Sequence, residues 1–263
     1  MAIFFTDLDN TLIYSRRHEI GTEKMCVELY QGREVSFVTV KTWELLKQLI
    51  QKMLLIPVTT RTEEQYGRID LKIGVPQYAL VCNGGVLLEQ GEEDLGWHRE
   101  SLEDIADCRE QLTRAQRLME QDQNRNFEVR NIRQLFLFSK SEAPGASVAY
   151  LKKGLDLERV QVFENGAKVY VVPRNLNKGR AVRRLWQRMQ ESGKKPGKIL
   201  AAGDSAFDVS MLQCADVPFA PRELMQSFKL PQRTVTGDQG EIFSEFVLER
   251  VLALSAGYPH WIS

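Results

Sequence analysis

Asp7 and Asp9 stand two residues apart, directly after the apolar run Ile3-Phe4-Phe5, with a hydroxyl following at Thr11. Far along the chain, Gly203-Asp204-Ser205 and then Asp208 follow a second apolar run, Ile199-Leu200-Ala201-Ala202. Thr59 follows a third, Leu54-Leu55-Ile56-Pro57-Val58, and Lys178 opens a helical stretch. Taken singly, each has a plain structural use: an Asx turn, a helix cap, an exposed lysine. Together they make several carboxylates, one hydroxyl and one ammonium at successive strand ends. Clustered carboxylates repel one another unless a divalent cation neutralises them, and hard oxygen donors favour Mg²⁺. A lysine and a threonine beside such an ion suit a phosphoryl group. Where the chain curls after its first strand, one of Asp7 and Asp9 can meet a metal while the other reaches a substrate oxygen.

The elements that must position these groups follow from the pattern around them. Short apolar runs that end in polar turns suit the buried strands of a parallel sheet, which places ligands beyond the carboxyl ends of its strands. Tyr78-Ala79-Leu80-Val81-Cys82 is a further such strand, closed by Asn83-Gly84-Gly85. Apolar residues recur at helical spacing over Val40 to Met53 and again over Lys178 to Glu191, and Ile242 to Leu254 reads as a closing helix. Ser15 to Gly32 reads as a polar loop with a short helix. Between these alternating elements the pattern changes. Val86 to Leu88 with Leu95 to His98 reads as a hairpin, and Leu102 to Gln121 as one long amphipathic helix. Short strands follow at Phe127 to Val129 and Leu135 to Phe138. A helix near Ala146 to Gly154 leads to a second hairpin, Val160 to Phe163 with Lys168 to Val172. The expected fold is α/β: a Rossmann-like parallel-sheet core, residues 1–85 and 173–263, split by an inserted α+β cap domain, residues 86–172.

The 263 residues suffice for one large domain or two small ones, and Lys plus Arg balances Asp plus Glu at 35 each. Zero net charge argues against a nucleic-acid partner bound through a general basic field. Cys26, Cys82, Cys108 and Cys214 lie far apart, and His18, His98 and His260 do not cluster with them, so a zinc site is not expected and the thiols read as reduced. No apolar run reaches membrane-spanning length, and no leader pattern precedes the first strand. The expected setting is cytoplasmic, without a membrane partner.

Asp7-Leu8-Asp9-Asn10-Thr11, Val58-Thr59-Thr60-Arg61, Asn177-Lys178-Gly179 and Gly203-Asp204-Ser205-Ala206-Phe207-Asp208 occur in this order, across nearly the whole chain. In this the chain resembles the haloacid dehalogenase superfamily of phosphohydrolases. The insert lies between the second and third motifs, where that superfamily's second class of cap resides. Asn83-Gly84-Gly85 looks like the same branch, and the first motif is similar to that of sucrose-phosphate and mannosyl-phosphoglycerate phosphatases. The resemblance implies that Asp7 attacks phosphorus to form an aspartyl-phosphate. Asp9 would protonate the leaving oxygen and then deprotonate water, while its backbone carbonyl binds Mg²⁺. Asp204 would complete the protein's metal ligands, and Asp208 would bind through water or hold Lys178. Thr59 would donate to a phosphoryl oxygen, and Lys178 would offset charge on the nucleophile and the transferring group. Thr11 and Asn10 would order the loop. Two positions depart from the family pattern: Phe207 stands where Asn is common, and Thr60 where Gly is usual.

Substrate contacts are expected from Thr11, Arg61 and Asn83, with anchoring of a loop as the other reading of Arg61, and from the turn residues Arg130 and Asn131 of the insert. Arg133, Glu164 and Asn165 are further candidates there. The implied substrate is a small phosphate ester, a sugar phosphate or phosphorylated sugar acid, and the expected state is a monomer or weak homodimer. Two other functions fit the same residues: a sugar phosphomutase of the same superfamily, and a non-catalytic Mg²⁺- or phosphate-binding regulator. A receiver-type signalling domain also uses aspartates, a hydroxyl and a lysine, but its acceptor aspartate follows a later strand and its chain is about half this length.

Overall fold

The computed structural model describes residues 2–237 and 240–255; His260 lies outside them. The chain divides into two compact units, one running to Asp94 and resuming at Lys178, the other Leu95–Asn177.

In the first unit, Ile3–Thr6 is the central strand of a parallel sheet. It pairs with Ile199–Ala202 on one side and Leu54–Pro57 on the other, and Val217–Phe219 extends the first side. Phe4, Phe5, Ile56 and Ala202 are wholly buried, as expected of strands covered on both faces. The helices Val40–Leu49 and Phe243–Ser255 pack together, and Leu46, Leu49, Val247 and Val251 join Phe4, Leu55 and Leu200 in the main core cluster. The Thr39 hydroxyl accepts from the Thr42 amide, capping the first of these helices, and donates to Glu245 near the start of the second.

Three sequence expectations are corrected here. Residues 15–32 are not a loop with a helix: Lys24–Tyr30 pairs antiparallel with Arg33–Thr39 through a tight turn at Gln31 and Gly32, both at positive φ. That turn geometry matches the twist of an antiparallel pair. Val86–Glu89 does not pair with Leu95–His98. It pairs with Tyr78–Val81 and with the short strand Glu92–Glu93, so this hairpin belongs to the first unit. Leu95–His98 instead opens the helix Leu95–Asp104, with Trp97 and Ser101 buried one turn apart. The expected long helix from Leu102 is therefore broken: a tight turn at Ala106–Cys108 separates this helix from Arg109–Gln121.

The second unit holds a four-stranded antiparallel sheet, in the order Val160–Asn165, Lys168–Pro173, Phe136–Lys140, Arg130–Ile132. The helices Arg109–Gln121 and Pro144–Gly154 pack together and against it. Leu112, Ala115 and Met119 form the helical stripe, and Leu137, Val162 and Val171 form the buried face of the sheet. On the other face Phe138, Tyr170 and Phe163 lie in register across three strands, with neighbouring ring centroids 5.8 and 5.6 Å apart. The architecture is the expected one, a parallel α/β core with an inserted α+β unit. Among the described residues no helix is long and apolar enough to cross a membrane.

Candidate active site

Asp7 follows the central strand, and its amide donates to Ala202 O at 2.9 Å, so the strand pairing itself fixes where the carboxylate begins. The chain then turns sharply. Leu12 and Ile13 donate their amides to Leu8 O, and Asn10 adopts φ 59°, a left-handed conformation that Asn tolerates better than most residues. The Thr11 hydroxyl comes to 3.3 Å from Asp204 Oδ1 across 193 positions of sequence.

Lys178 sits at the start of the helix Lys178–Glu191 and is only 1 % exposed. Its Nζ donates to Asp7 Oδ1 at 2.6 Å and to Asp208 Oδ1 at 2.5 Å. The other Asp208 oxygen accepts from the amides of Asp204 and Ser205 and from the Ser205 hydroxyl. One buried carboxylate thus ties the ammonium to the loop that carries Asp204. Two glycines permit this closeness. A Cβ on Gly179 would lie 2.1 Å from the carbonyl oxygen of Ser210, and one on Gly203 would lie 2.3 Å from Asp208 Cβ.

Carboxylate oxygens of Asp7, Asp204 and Asp208 lie within 4.8 Å of one another. Burial, followed by the charge of Asp208, pushes the Asp204 carboxyl up to about 7. Burial also raises Asp7 well above the usual carboxylate range, and the ammonium of Lys178 offsets this only in part. For Lys178 burial acts downward, but Asp208 and Asp7 outweigh it and the ammonium is held charged. Among the described residues one ammonium, that of Lys178, is bonded within this group of three carboxylates, and hard oxygen donors short of positive charge are what a small divalent cation such as Mg²⁺ requires. The residues fit the metal.

Thr59 is wholly buried beyond the strand Leu54–Pro57. Its amide donates to Leu80 O, its hydroxyl accepts from the Arg61 amide at 3.1 Å, and its carbonyl accepts from the Asn83 amide. Asn83 is buried at φ 59°, so its link to Thr59 runs through the backbone. Arg61 spans two carboxylates. Its Nε and Nη2 are bidentate on Asp9 at 2.8 and 2.7 Å, and its Nη1 lies 2.9 Å from Glu28. Glu28 was not legible as a site residue because its segment reads as a loop; the signal available was the alternation of Met25, Val27 and Leu29 before the Gln31-Gly32 turn. Arg130 and Asn131 belong to the second unit, exposed on its edge strand, where Arg130 pairs with Glu128 and lies over the Phe127 ring.

A model of the family described as sucrose-6F-phosphate phosphohydrolase matches residues 1–217. Over 71 residues the chain is 32% identical to "Probable sucrose-phosphatase 2" of Arabidopsis thaliana; that stretch is 27% of this chain and 16% of that protein. Among solved structures it is similar to the sucrose-phosphatase of Synechocystis sp., determined in complex with sucrose and phosphate. That likeness has a TM-score of 0.60 at 18% identity and covers 95% of this chain and 96% of the other. A haloacid dehalogenase-like hydrolase from B. subtilis gives a TM-score of 0.58 at 16% identity, over 97% of this chain and 100% of that one. At these identities the structural likenesses speak for the fold.

Proposed function

The chain belongs to the sucrose-6F-phosphate phosphohydrolase family, and from that premise we propose that it is a Mg²⁺-dependent phosphatase of a small sugar phosphate, working through an aspartyl-phosphate on Asp7. The observation that carries this is the buried ammonium of Lys178, shared by Asp7 and Asp208 with Asp204 alongside. A carboxylate held rigidly against a cation, at the end of a central strand, suits attack on phosphorus.

In this mechanism Asp7 uses its second oxygen to attack in line, while Lys178 offsets charge on the nucleophile and on the phosphoryl oxygens. The Thr59 hydroxyl, which accepts from the Arg61 amide, has its own hydrogen to give to a phosphoryl oxygen. Asp9 gives a proton to the leaving sugar oxygen and later takes one from the water that cleaves the aspartyl-phosphate. Asp7, Asp204 and the Asp9 carbonyl would hold Mg²⁺, with Asp208 bound through water or acting on Lys178. When bound, the ion neutralises charge gathering on the transferring group. Leu95–Asn177, inserted between the second and third motifs, would supply leaving-group selectivity as a cap, with Arg130 and Asn131 as candidate contacts. The same proposal has the protein acting in the cytoplasm as a monomer or weak homodimer, with no nucleic-acid partner.

The test is phosphate release from a panel of sugar phosphates and phosphorylated sugar acids, sucrose 6F-phosphate first, with Mg²⁺ and with excess chelator. Mg²⁺-dependent release from a narrow set is the expected result. No release from any ester, despite Mg²⁺ binding, would overturn the proposal and direct attention to a bisphosphate-primed mutase assay.

A further inference from the structure

The hairpin strand Lys24–Tyr30 carries an irregularity whose product is one buried carboxylate. Cys26 faces Phe37, Glu28 faces Ser36 and Leu29 faces Glu34, so the register shifts on both sides of Glu28. A regular strand would send Val27 and Glu28 to opposite faces. Here both are buried, at 3 % and 2 % exposure. Bulges re-aim side chains in this way. The buried Glu28 carboxylate accepts from the Ser36 hydroxyl at 2.6 Å and from Arg68 Nε at 3.2 Å, and it lies 2.9 Å from Arg61 Nη1. Arg61 turns its remaining edge, Nε and Nη2, onto the two oxygens of Asp9. A guanidinium is planar and rigid, so fixing one edge fixes the other. The Glu28 side chain is 1 % exposed and that of Asp9 49 % exposed, so the anchor is the buried carboxylate and the anchored group is the open one.

We infer that Glu28 is a positioning residue for Asp9, acting through Arg61, and that the bulged hairpin holds the acid–base carboxylate in a fixed plane before substrate arrives. The inference rests on the role given to Asp9 in the proposed function. It predicts a selective effect. Proton transfer to the leaving oxygen matters for a sugar alkoxide, a poor leaving group, and little for nitrophenolate, which departs without a proton. Attack by Asp7 on phosphorus is common to both.

The experiment measures single-turnover release of the leaving group, with enzyme in excess and Mg²⁺ present, from a hydrolysed sugar phosphate and from p-nitrophenyl phosphate. Wild type, Glu28→Ala, Glu28→Gln and Arg68→Met are compared. Glu28→Ala is expected to slow sugar release by about tenfold or more while nitrophenolate release changes by less than about twofold. Glu28→Gln, which keeps an acceptor oxygen for Arg61, recovers part of the loss. Arg68→Met removes a Glu28 partner without touching Arg61 and leaves the ratio of the two rates unchanged. Should Glu28→Ala fail to fold, the same selective slowing in Glu28→Gln carries the test. Equal slowing of both esters, or slowing of neither, would overturn the inference and leave Glu28 a fold-stabilising residue only. A wild type that hydrolyses neither ester overturns the phosphatase proposal and this inference with it, so the wild-type rates tell the two failures apart.

Discussion

Replacing Lys178 with methionine keeps the volume and removes the charge. At an effective dielectric constant of ~20, contacts of 2.6 and 2.5 Å are each worth about 6 kcal/mol of attraction before desolvation. Desolvation of three buried ions cancels most of that sum. What the variant leaves behind is a pair of buried carboxylates without their cation, and breaking buried pairs this way costs about 3–5 kcal/mol. For a unit of this size the melting temperature should fall by roughly 6–20 °C at pH 8. The penalty has a pH signature. Asp7 is already raised by burial and takes up a proton more readily once the ammonium is gone, so the loss at pH 5 should be clearly smaller than at pH 8. Calorimetric melting of both proteins at the two pH values, with chelator present, provides the measurement. A loss below about 1 kcal/mol at pH 8, or an equal loss at both pH values, would refute the reasoning, because it would mean that the carboxylates do not depend on the ammonium.

Asp7→Asn keeps the shape and removes the proposed nucleophile; it should abolish phosphate release with the fold retained by circular dichroism, and near wild-type turnover would reject Asp7 as nucleophile. Asp204, pushed up to about 7, binds a proton more tightly in the folded chain than in the unfolded one, so its ionisation destabilises the metal-free fold as pH rises from about 4 to about 7. Asp204→Asn should therefore raise metal-free stability by up to about 4 kcal/mol at pH 8 and by only about 1.5 kcal/mol at pH 5; the reverse order would contradict the assignment. In the wild type, Mg²⁺ affinity measured by titration calorimetry should weaken below about pH 7, with proton release on binding. Gly179→Ala would stabilise an exposed helix, but here the new Cβ meets the Ser210 carbonyl. It should cost roughly 1–3 kcal/mol and displace Lys178, read as a lower melting temperature together with lower turnover.

The parallel core was legible because its strands are continuous apolar runs, and their polar ends named Asp7, Thr59 and Asp204 directly. The Lys24–Thr39 hairpin was not. Its turn is Gln-Gly rather than Asn-Gly, and the bulge at Glu28 buries that carboxylate and exposes Leu29, against the faces that the alternation of Met25, Val27 and Leu29 assigns. Leu95–His98 shows the converse error. A short apolar run does not distinguish strand from helix, and burial of Trp97 with Ser101 one turn later settles it as helix. The partners of each site residue were out of reach for a simpler reason. Arg61 and Asp9 are 52 positions apart, and nothing local tells a guanidinium which carboxylate it will meet.

The central strand has a consequence for how this chain is made. Ile3–Thr6 is made long before one of its sheet neighbours, Ile199–Ala202, and Asp7 must wait 171 positions for Lys178. During synthesis at about 5–20 residues per second, Ile3-Phe4-Phe5 therefore spends on the order of ten seconds or more without that neighbour, exposed to wrong contacts. Leu95–Asn177, contiguous in sequence, faces no such delay. The acidic cluster likewise comes into being late, when Lys178 and Asp204 join Asp7, so a cation taken up there would follow the closing of the sheet rather than seed it.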